Sequence, residues 1–125
     1  MMREIKFRAY DYDNKRFEYD VQDIYDEEIG SSFLNVLEED RFVVEQYTGI
    51  KDMNGVEVYE GDIIKFHVVM LSPDDNVGYV KYYPEYGYSI MLTFGRVIRP
   101  EYWASGDRHT IEVIGNLHED EKLLQ

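Results

Sequence analysis

The chain has 125 residues and no cysteine, is 44% apolar and 15% aromatic, and carries a net charge of −13 at pH 7. This composition can bury a hydrophobic core, so global disorder is not expected, and the lack of cysteine excludes disulfides, thiol nucleophiles and cysteine-bound zinc. The length fits one domain over 1–125, and two β subdomains, about 1–47 and 48–125, are the alternative.

The acidic charge lies in the first two thirds of the chain. Residues 22–45 contribute −7 and residues 46–75 contribute −4, whereas 76–117 are balanced. Such a field repels DNA and anionic membranes, so nucleic acid is a disfavoured partner. No apolar run approaches the roughly 20 residues of a spanning helix. Because the opening MMREIKF lacks the apolar segment of a secretory signal, we expect a cytoplasmic protein without membrane contact.

The first predicted element is an N-terminal hairpin. Apolar and polar residues alternate over 5–9 and again over 17–21, which is the period-two pattern of half-buried strands. The intervening DYDNK, residues 11–15, has turn chemistry because Asp and Asn bond to their own backbone. The two strands are therefore expected to pair.

Residues 22–41 predict an acidic, irregular excursion. Two acidic runs, residues 26–28 and 38–40, bracket the stretch 29–37. Ser32 could cap a short helix from Phe33 to Glu39. A strand from Phe33 to Leu37 fits the same residues, and the sequence leaves both alternatives open.

The centre of the chain predicts a second hairpin. RFVVEQY, residues 41–47, is β-rich, and Val56–Tyr59 can pair back across Asn54-Gly55. Asn-Gly is the strongest short hairpin signal and predicts a type I′ turn with positive φ at both residues. Gly61 then makes a second reversal in a left-handed conformation, and the apolar run Ile63–Leu71 predicts a central strand.

The remaining third continues the β pattern. A loop at 72–76 separates the central run from strands at 77–83 and 88–92, and the last strand covers 110–114. Strands of 5–9 residues with turn signals about every 8–12 residues indicate a small, mainly β barrel or sandwich.

Three glycines, Gly49, Gly55 and Gly61, recur at six-residue spacing. They do not form a phosphate-binding loop, since no helix follows to present its N-terminus to an anion. With Asn54 and Asp62 they are assigned to structural turns, and Asp62 is expected to accept backbone N–H bonds.

No catalytic residue, metal site or cofactor is predicted. The three histidines, His67, His109 and His118, lie on different elements without ligand spacing. The acidic runs lack the order of a calcium loop, and no serine lies in a G-x-S-x-G elbow. We therefore expect a protein that is not an enzyme.

Aromatic residues are dense between 79 and 103, and they are the predicted binding residues: Tyr79, Tyr82, Tyr83, Tyr86, Tyr88 and Trp103. Alternation puts Tyr79, Lys81 and Tyr83 on one strand face. Cross-strand packing explains such residues most simply. If exposed, they would suit a protein interface, or a stacking platform for single-stranded nucleic acid aided by Lys81, Arg96, Arg99 and Arg108.

Three stretches carry a family resemblance: MREIKFRAYD, QYTGIKDMNGVEVYEGDIIKF and IEVIGNLHED. With them the chain resembles the YopX family of small phage and prophage proteins of low-GC Gram-positive bacteria. The resemblance implies a strand-rich fold, with an SH3-like barrel around the EGD turn, and a cytoplasmic protein without established enzymatic activity. It supplies no catalytic residues for this chain.

Together these observations favour a non-enzymatic accessory protein that binds protein, with self-association into a homo-oligomer as the expected mode. A single-stranded nucleic-acid-binding module on an SH3-like barrel is the alternative. A small hydrolase or metal-dependent enzyme is the least favoured, because no His–carboxylate pairing can be recognised in the sequence.

Overall fold

A computed structural model describes residues 4–23, 25, 26, 31–68, 76–92, 95, 97–100 and 109–124. The fold is mainly β, and one of its two principal antiparallel sheets is a curled half-barrel. The predicted fold class is therefore confirmed. None of the helices within these ranges is long and apolar enough to cross a membrane. The chain divides into two compact units, Met1–Tyr47 and Thr48–Gln125.

The first unit is built on an antiparallel ladder. Its elements are β1 (Phe7–Asp11), β2 (Arg16–Tyr19), a 3₁₀ turn (Val21–Asp23), β3 (Tyr25–Asp26), β4 (Ser31–Ser32), α1 (Phe33–Glu38) and the start of β5 (Phe42–Lys51). β1 pairs with β2 on one side and with β5 on the other, and β3 pairs with β4. The predicted N-terminal hairpin is confirmed.

The helix α1 resolves the ambiguity at residues 33–39. The helical alternative is right and the strand from Phe33 to Leu37 is wrong. Val36 on this helix packs with Ala9 and Val21 in the core of the first unit. This short helix therefore brings an apolar side chain from the acidic segment into the core of the first unit.

On the face of β1 opposite Ala9, the predicted alternation of buried and exposed residues does not hold. Arg8 is buried, with its Nε 3.0 Å from Glu45 Oε1 and its guanidinium 4.3 Å from the centroid of the Phe17 ring. Ile5, which the alternation placed inward, precedes β1 and is exposed. The ion pair with Glu45 and the stacking on Phe17 therefore compensate the guanidinium of Arg8 for its lost hydration.

The second unit contains a five-stranded antiparallel sheet. Its elements are β6 (Glu57–Tyr59), β7 (Asp62–Val68), β8 (Asn76–Tyr83), β9 (Gly87–Leu92), β10 (Val97–Ile98), β11 (His109–Asn116) and a 3₁₀ turn (Glu121–Leu124). The sheet order is β10-β9-β8-β7-β11, and β6 lies beside β5 in the four-stranded sheet of β2, β1, β5 and β6.

Strand β7 is central, as its apolar run predicted. Ile63 and Ile64 are both fully buried, so the strand is covered on both faces. Each side chain contributes roughly 1.5–3 kcal/mol by leaving water. The cluster around Ile64 contains Val58, Phe66, Val80, Ile90, Leu92 and Ile111. Residues 69–71 of the predicted strand and 72–75 of the predicted loop lie outside the described ranges.

Candidate functional site

The Asn-Gly loop between β5 and β6 is not the predicted type I′ turn. The Gly55 N–H donates to Asp52 O at 3.0 Å, and the Asp52 N–H donates to Val56 O at 2.8 Å. Within this loop the positive φ falls on Gly55, at 80°, and not on Asn54. This is a three-residue loop in which a type I turn is followed by a left-handed glycine. The hairpin is right and its turn type is corrected.

The carboxylate of Asp52 explains the choice of loop. It is buried, and its Oδ1 accepts hydrogen bonds from the N–H groups of Asn54 and Val56, both at 2.8 Å. Its Oδ2 accepts from the Val113 N–H at 2.9 Å, while the Met53 N–H donates to Ile111 O on the same strand. The loop therefore covers the edge of β11 at 111–113, where another strand could otherwise pair.

The EGD turn is also built from backbone bonds. Gly61 has φ of 87°, its N–H donates to Val80 O, and its carbonyl accepts from the Leu117 N–H, each at 2.9 Å. The buried Asp62 Oδ2 accepts from the Tyr59 N–H at 2.7 Å. Asp62 thus makes the backbone contact that the sequence predicted for it.

Gly49 does not lie at a turn. It is inside strand β5 with φ of 89°. The neighbouring Thr48 hydroxyl donates to Val58 O at 2.8 Å and accepts from the Ile50 N–H at 3.2 Å. The six-residue glycine spacing therefore marks one distorted strand and two reversals, not three equivalent bends.

Side-chain oxygens in the motif near the C-terminus also accept hydrogen bonds from backbone N–H groups. Asn116 Oδ1 accepts from the N–H groups of His118 and Glu119, both at 3.0 Å. Asp120 Oδ2 accepts from the Asn116 N–H at 3.1 Å. These bonds fold the chain back at the end of β11, so the polar side chains of IEVIGNLHED also serve the backbone.

The DYDNK turn in the first unit is a fourth example. Asp11 Oδ1 accepts from the N–H groups of Asp13 at 3.0 Å and Asn14 at 3.3 Å, and Oδ2 accepts from Asn14 Nδ2 at 2.7 Å. The side-chain bond from Asn14 is the main reason that the pKa of Asp11 lies below its ordinary value, since it favours the charged form.

In the part of the chain that the structure describes, no three His, Asp or Glu side chains are grouped so that they could hold a metal ion. The strand pairing places His67 opposite Thr110 and His109 opposite Val68, and His118 lies in the turn after β11. Asp52, Asp62 and Asp120 are instead directed at backbone N–H groups.

The aromatic residues of β8 and β9 have a different environment. The two strands are joined at residues 84–86, and Tyr82 lies opposite Tyr88 and Tyr83 opposite Gly87. Together with Arg99, which follows β10, residues 81–88 form a surface that we call the hairpin tip.

A continuous row of cations and rings runs along the hairpin tip. Lys81 Nζ lies 5.2 Å from the centroid of the Tyr83 ring, the Tyr83 and Tyr86 centroids are 6.3 Å apart, and Arg99 Cζ lies 5.3 Å from the Tyr86 centroid. Lys81, Tyr86 and Arg99 are exposed. The cation–π contacts hold both positive charges beside exposed aromatic surface.

The other face of the hairpin tip carries Tyr82 and Tyr88, whose ring centroids are 5.2 Å apart. Tyr88 packs against the core of the second unit, whereas Tyr82 is 50% exposed. Tyr82 follows the buried Val80 on the same side of β8. The apolar face of this strand therefore extends past the end of the core.

Tyr83 has one unusual atom. Its hydroxyl is buried and has no hydrogen-bond partner among the described residues. An unpaired buried polar group costs about 1–3 kcal/mol. The hydroxyl of Tyr83 therefore does not stabilise the fold. The contact of Tyr83 with Lys81 is made by its ring.

Of the two remaining predicted binding residues, the structure describes Tyr79. Tyr79 lies opposite Met91 and lines an open groove of about 330 Å³ with Leu92, Gly95 and Leu124. Trp103, together with Arg96 and Arg108, lies outside the described ranges. Four of the six predicted aromatic residues thus come together, namely Tyr82, Tyr83, Tyr86 and Tyr88.

A second exposed aromatic row, on the N-terminal hairpin, is absent from the sequence-based predictions. The rings of Tyr12, Tyr10, Phe17 and Tyr19 follow one another at centroid distances of 4.8, 4.9 and 5.9 Å. Tyr12 and Tyr19 are 49% and 55% exposed. The sequence signal that could have identified this row is the presence of aromatic residues on both sides of the DYDNK turn. Here the stacked cation, Arg8, is neutralised by Glu45.

Comparison with solved structures places the fold among known ones. The chain resembles protein EF1440 from Enterococcus faecalis, with 24% identity and a TM-score of 0.61 over 98% of this chain and 99% of that one. It also resembles protein YopX from Bacillus subtilis, with 15% identity and a TM-score of 0.62 over 96% and 98% of the two chains. At these identities the likeness establishes the fold alone.

Comparison with curated proteins finds no match. The comparison with protein families does find one, described as YopX protein, and it covers residues 6–125. The match includes all three quoted motifs apart from the first few residues of MREIKFRAYD, and it spans both compact units. The chain therefore belongs to the YopX family.

Proposed function

We propose that this protein is not an enzyme and acts by binding protein, and that it associates with further copies of itself through the hairpin tip. One observation carries the proposal. Tyr86 is 47% exposed with the Arg99 guanidinium carbon 5.3 Å from its ring centroid, and Tyr82 is 50% exposed on the other face of the tip. The carboxylates of Asp52 and Asp62, by contrast, bond to the backbone of their own chain. Tyrosine and arginine are enriched at the centres of protein interfaces.

The size of the rings supports their role as anchors. A tyrosine buries about 150–250 Å² when it is covered, and its hydroxyl can stay hydrated at the rim. A stable interface buries roughly 1,200–2,000 Å² in total. Because Tyr82 and Tyr86 are already about half covered, the two rings can act as anchors, and most of the interface area must come from the residues around them.

Family membership supports the cellular setting that we propose. A member of the YopX family is expected to be a phage or prophage accessory protein that works in the cytoplasm of its bacterial host. Protein binding also agrees with the charge, since the anionic field disfavours polyanions more than it disfavours a protein partner.

Binding of single-stranded nucleic acid is the second candidate. The contacts of Lys81 with Tyr83 and of Arg99 with Tyr86 favour it, because stacking platforms combine aromatic rings with positive charge. The net charge of −13 opposes it. Such binding depends on phosphate neutralisation and weakens steeply with salt.

The test of the first proposal is sedimentation velocity on the wild type and on Tyr82→Ala/Tyr86→Ala. The wild type is expected to form an oligomer that dissociates in this variant. Tyr12→Ala/Tyr19→Ala is the matched control, because those rings are equally exposed in the first unit, and it should leave the oligomer intact. A monomeric wild type, or equal losses in both variants, would contradict the proposal.

The second candidate is tested by fluorescence anisotropy with a single-stranded oligonucleotide at low salt. We expect no binding. Salt-sensitive binding that disappears in Tyr82→Ala/Tyr86→Ala would indicate that the tip binds nucleic acid and would contradict the first proposal.

A further inference from the structure

The Asn54-Gly55 pair in the loop at 52–56 is a chemical feature that has no part in the proposed function. The chain contains five asparagines, and Asn54 alone is followed by glycine. Both residues of the pair are exposed, and nothing lies within 4 Å of a Cβ added at Gly55. Water therefore reaches the pair, and without a side chain on Gly55 its backbone nitrogen can approach the Asn54 carboxamide closely.

Such a pair has a defined reaction. The Gly55 nitrogen gives up its proton to base and attacks Asn54 Cγ, so that a bond forms between this nitrogen and Cγ. The bond between Cγ and Nδ2 breaks, and ammonia leaves with a proton taken from solvent. Water then opens the five-membered succinimide. Cleavage between the nitrogen and Cγ gives aspartate, whereas cleavage between the nitrogen and the backbone carbonyl carbon gives isoaspartate, whose main chain contains one additional carbon atom.

The closed loop opposes the first step of this reaction. The Gly55 N–H donates to Asp52 O at 3.0 Å, so the attacking nitrogen keeps its proton. The N–H groups of Asn54 and Val56 donate to Asp52 Oδ1, both at 2.8 Å, and fix the backbone on either side of Gly55. The reaction therefore requires the loop to open, and the bonds of the Asp52 carboxylate limit how often it opens.

The products conflict with the contacts that close the loop. Each adds a carboxylate at position 54, whose N–H lies 2.8 Å from Asp52 Oδ1, and two carboxylates that share a site repel one another. Isoaspartate also lengthens the turn that the bond from the Gly55 N–H to Asp52 O closes. The Asp52 carboxylate then loses the position from which it accepts the Val113 N–H on β11.

We propose that Asn54 is a modification site of the folded protein, where loop opening limits deamidation through a succinimide with Gly55, and that the isoaspartate product releases the loop from β11. The inference is independent of the proposed self-association, because it involves no residue of the hairpin tip. Conversion of one asparagine then uncovers the edge of β11 at 111–113 and offers it to another strand.

Peptide mass spectrometry tests the site on wild-type protein that is incubated at mildly alkaline pH, either folded or unfolded in guanidinium chloride. In the folded protein Asn54 should convert before the other four asparagines, which larger residues follow and which serve as internal controls. It should convert at least about tenfold more slowly than in the unfolded chain, because only the open loop reacts. Asp52→Ala should remove most of this protection, and the matched control Lys51→Ala should keep it.

Hydrogen exchange at the Val113 N–H tests the release of the loop. Protein with isoaspartate at position 54 should exchange this hydrogen at least about tenfold faster than unmodified protein. Asn54→Asp adds the charge without the additional carbon atom, so its effect should be smaller. Unchanged exchange in the isoaspartate form would show that the loop stays on β11 and would overturn the proposed release.

The comparison of folded with unfolded wild type decides the site even where a variant does not fold. No conversion of Asn54 in the folded protein, over a period that converts the unfolded chain, would overturn the modification site. Equal rates in the two states would overturn control by the loop. None of these outcomes bears on the oligomer, which the variants of the hairpin tip test separately.

Discussion

Two chain reversals of the second unit, the loop at 52–56 and the hairpin tip, use their side chains in opposite ways. In the loop, both oxygens of Asp52 accept backbone N–H bonds, one of them from Val113. In the tip, Tyr82, Tyr86 and both cations remain exposed. The loop therefore uses its side chain to stabilise the fold, whereas the proposed binding is assigned to the exposed rings of the tip.

The loop and the EGD turn agree with the prediction that the central motif is structural. The central motif has the features that often mark an active site, namely acidic residues beside glycines. The carboxylates of Asp52 and Asp62 nevertheless accept hydrogen bonds from backbone N–H groups at 2.7–2.9 Å. Charge-assisted bonds to backbone N–H groups are strong, and their geometry leaves these oxygens occupied.

The largest effect is expected from Asp52→Ala. Removing the carboxylate leaves three backbone N–H groups without their acceptor, and the free energy of unfolding should fall by about 3 kcal/mol. Urea unfolding measures it. Lys51→Ala, at the exposed neighbouring position, should change stability by less than about 0.5 kcal/mol. Similar losses of stability in both variants would contradict the role of the Asp52 carboxylate in stabilising the loop.

The next effect is expected from Gly55→Ala. Nothing lies within 4 Å of an added Cβ, so only the left-handed φ of 80° penalises alanine, by about 1–2 kcal/mol. Asparagine tolerates this conformation better, so Gly55→Asn should be less destabilising than Gly55→Ala in the same urea titration. Equal losses would show that the penalty has a source other than backbone conformation.

Tyr83→Phe should stabilise the protein. It removes a buried hydroxyl that has no partner and keeps the ring, so the free energy of unfolding should rise by about 1 kcal/mol. Tyr86→Phe, in an exposed position, should leave stability unchanged. Both variants should self-associate like wild type. A loss of stability in Tyr83→Phe would mean that the hydroxyl is bonded in solution.

The smallest effect is expected at the DYDNK turn under acid. The lowered pKa of Asp11 means that its contribution is present above its ordinary value of 3.8 and is lost as the pH falls through the folded value. Urea unfolding across this pH range should show a stability difference between wild type and Asp11→Asn that narrows as the pH falls. Parallel pH profiles for the two proteins would rule out this linkage.

Local patterns in the sequence were sufficient for the hairpins and for the central strand. Alternation identified β1, and the continuous apolar run identified β7 with Ile63 and Ile64 buried. The loop type was missed because Asn-Gly suits both a two-residue and a three-residue loop. The bond from Asp52 to Val113 joins residues 61 apart, and no local pattern encodes such a contact.

The candidate site was predicted only in part, because local patterns do not show which residues distant elements cover. Strand alternation placed Tyr82 on the core side of β8, but it could not show that the core ends before Tyr82. It also could not separate Tyr79, which lines a groove with Leu124, from the rings of the tip. Exposure depends on what distant elements cover, and that information lies in the tertiary structure.

The most direct test of this account is to measure the association state and the unfolding free energy together for Tyr82→Ala/Tyr86→Ala. We predict a monomer that unfolds within about 1 kcal/mol of wild type at a concentration where wild type is oligomeric. A variant that remains oligomeric, or one that dissociates only because it has unfolded, would contradict the separation of fold and binding surface.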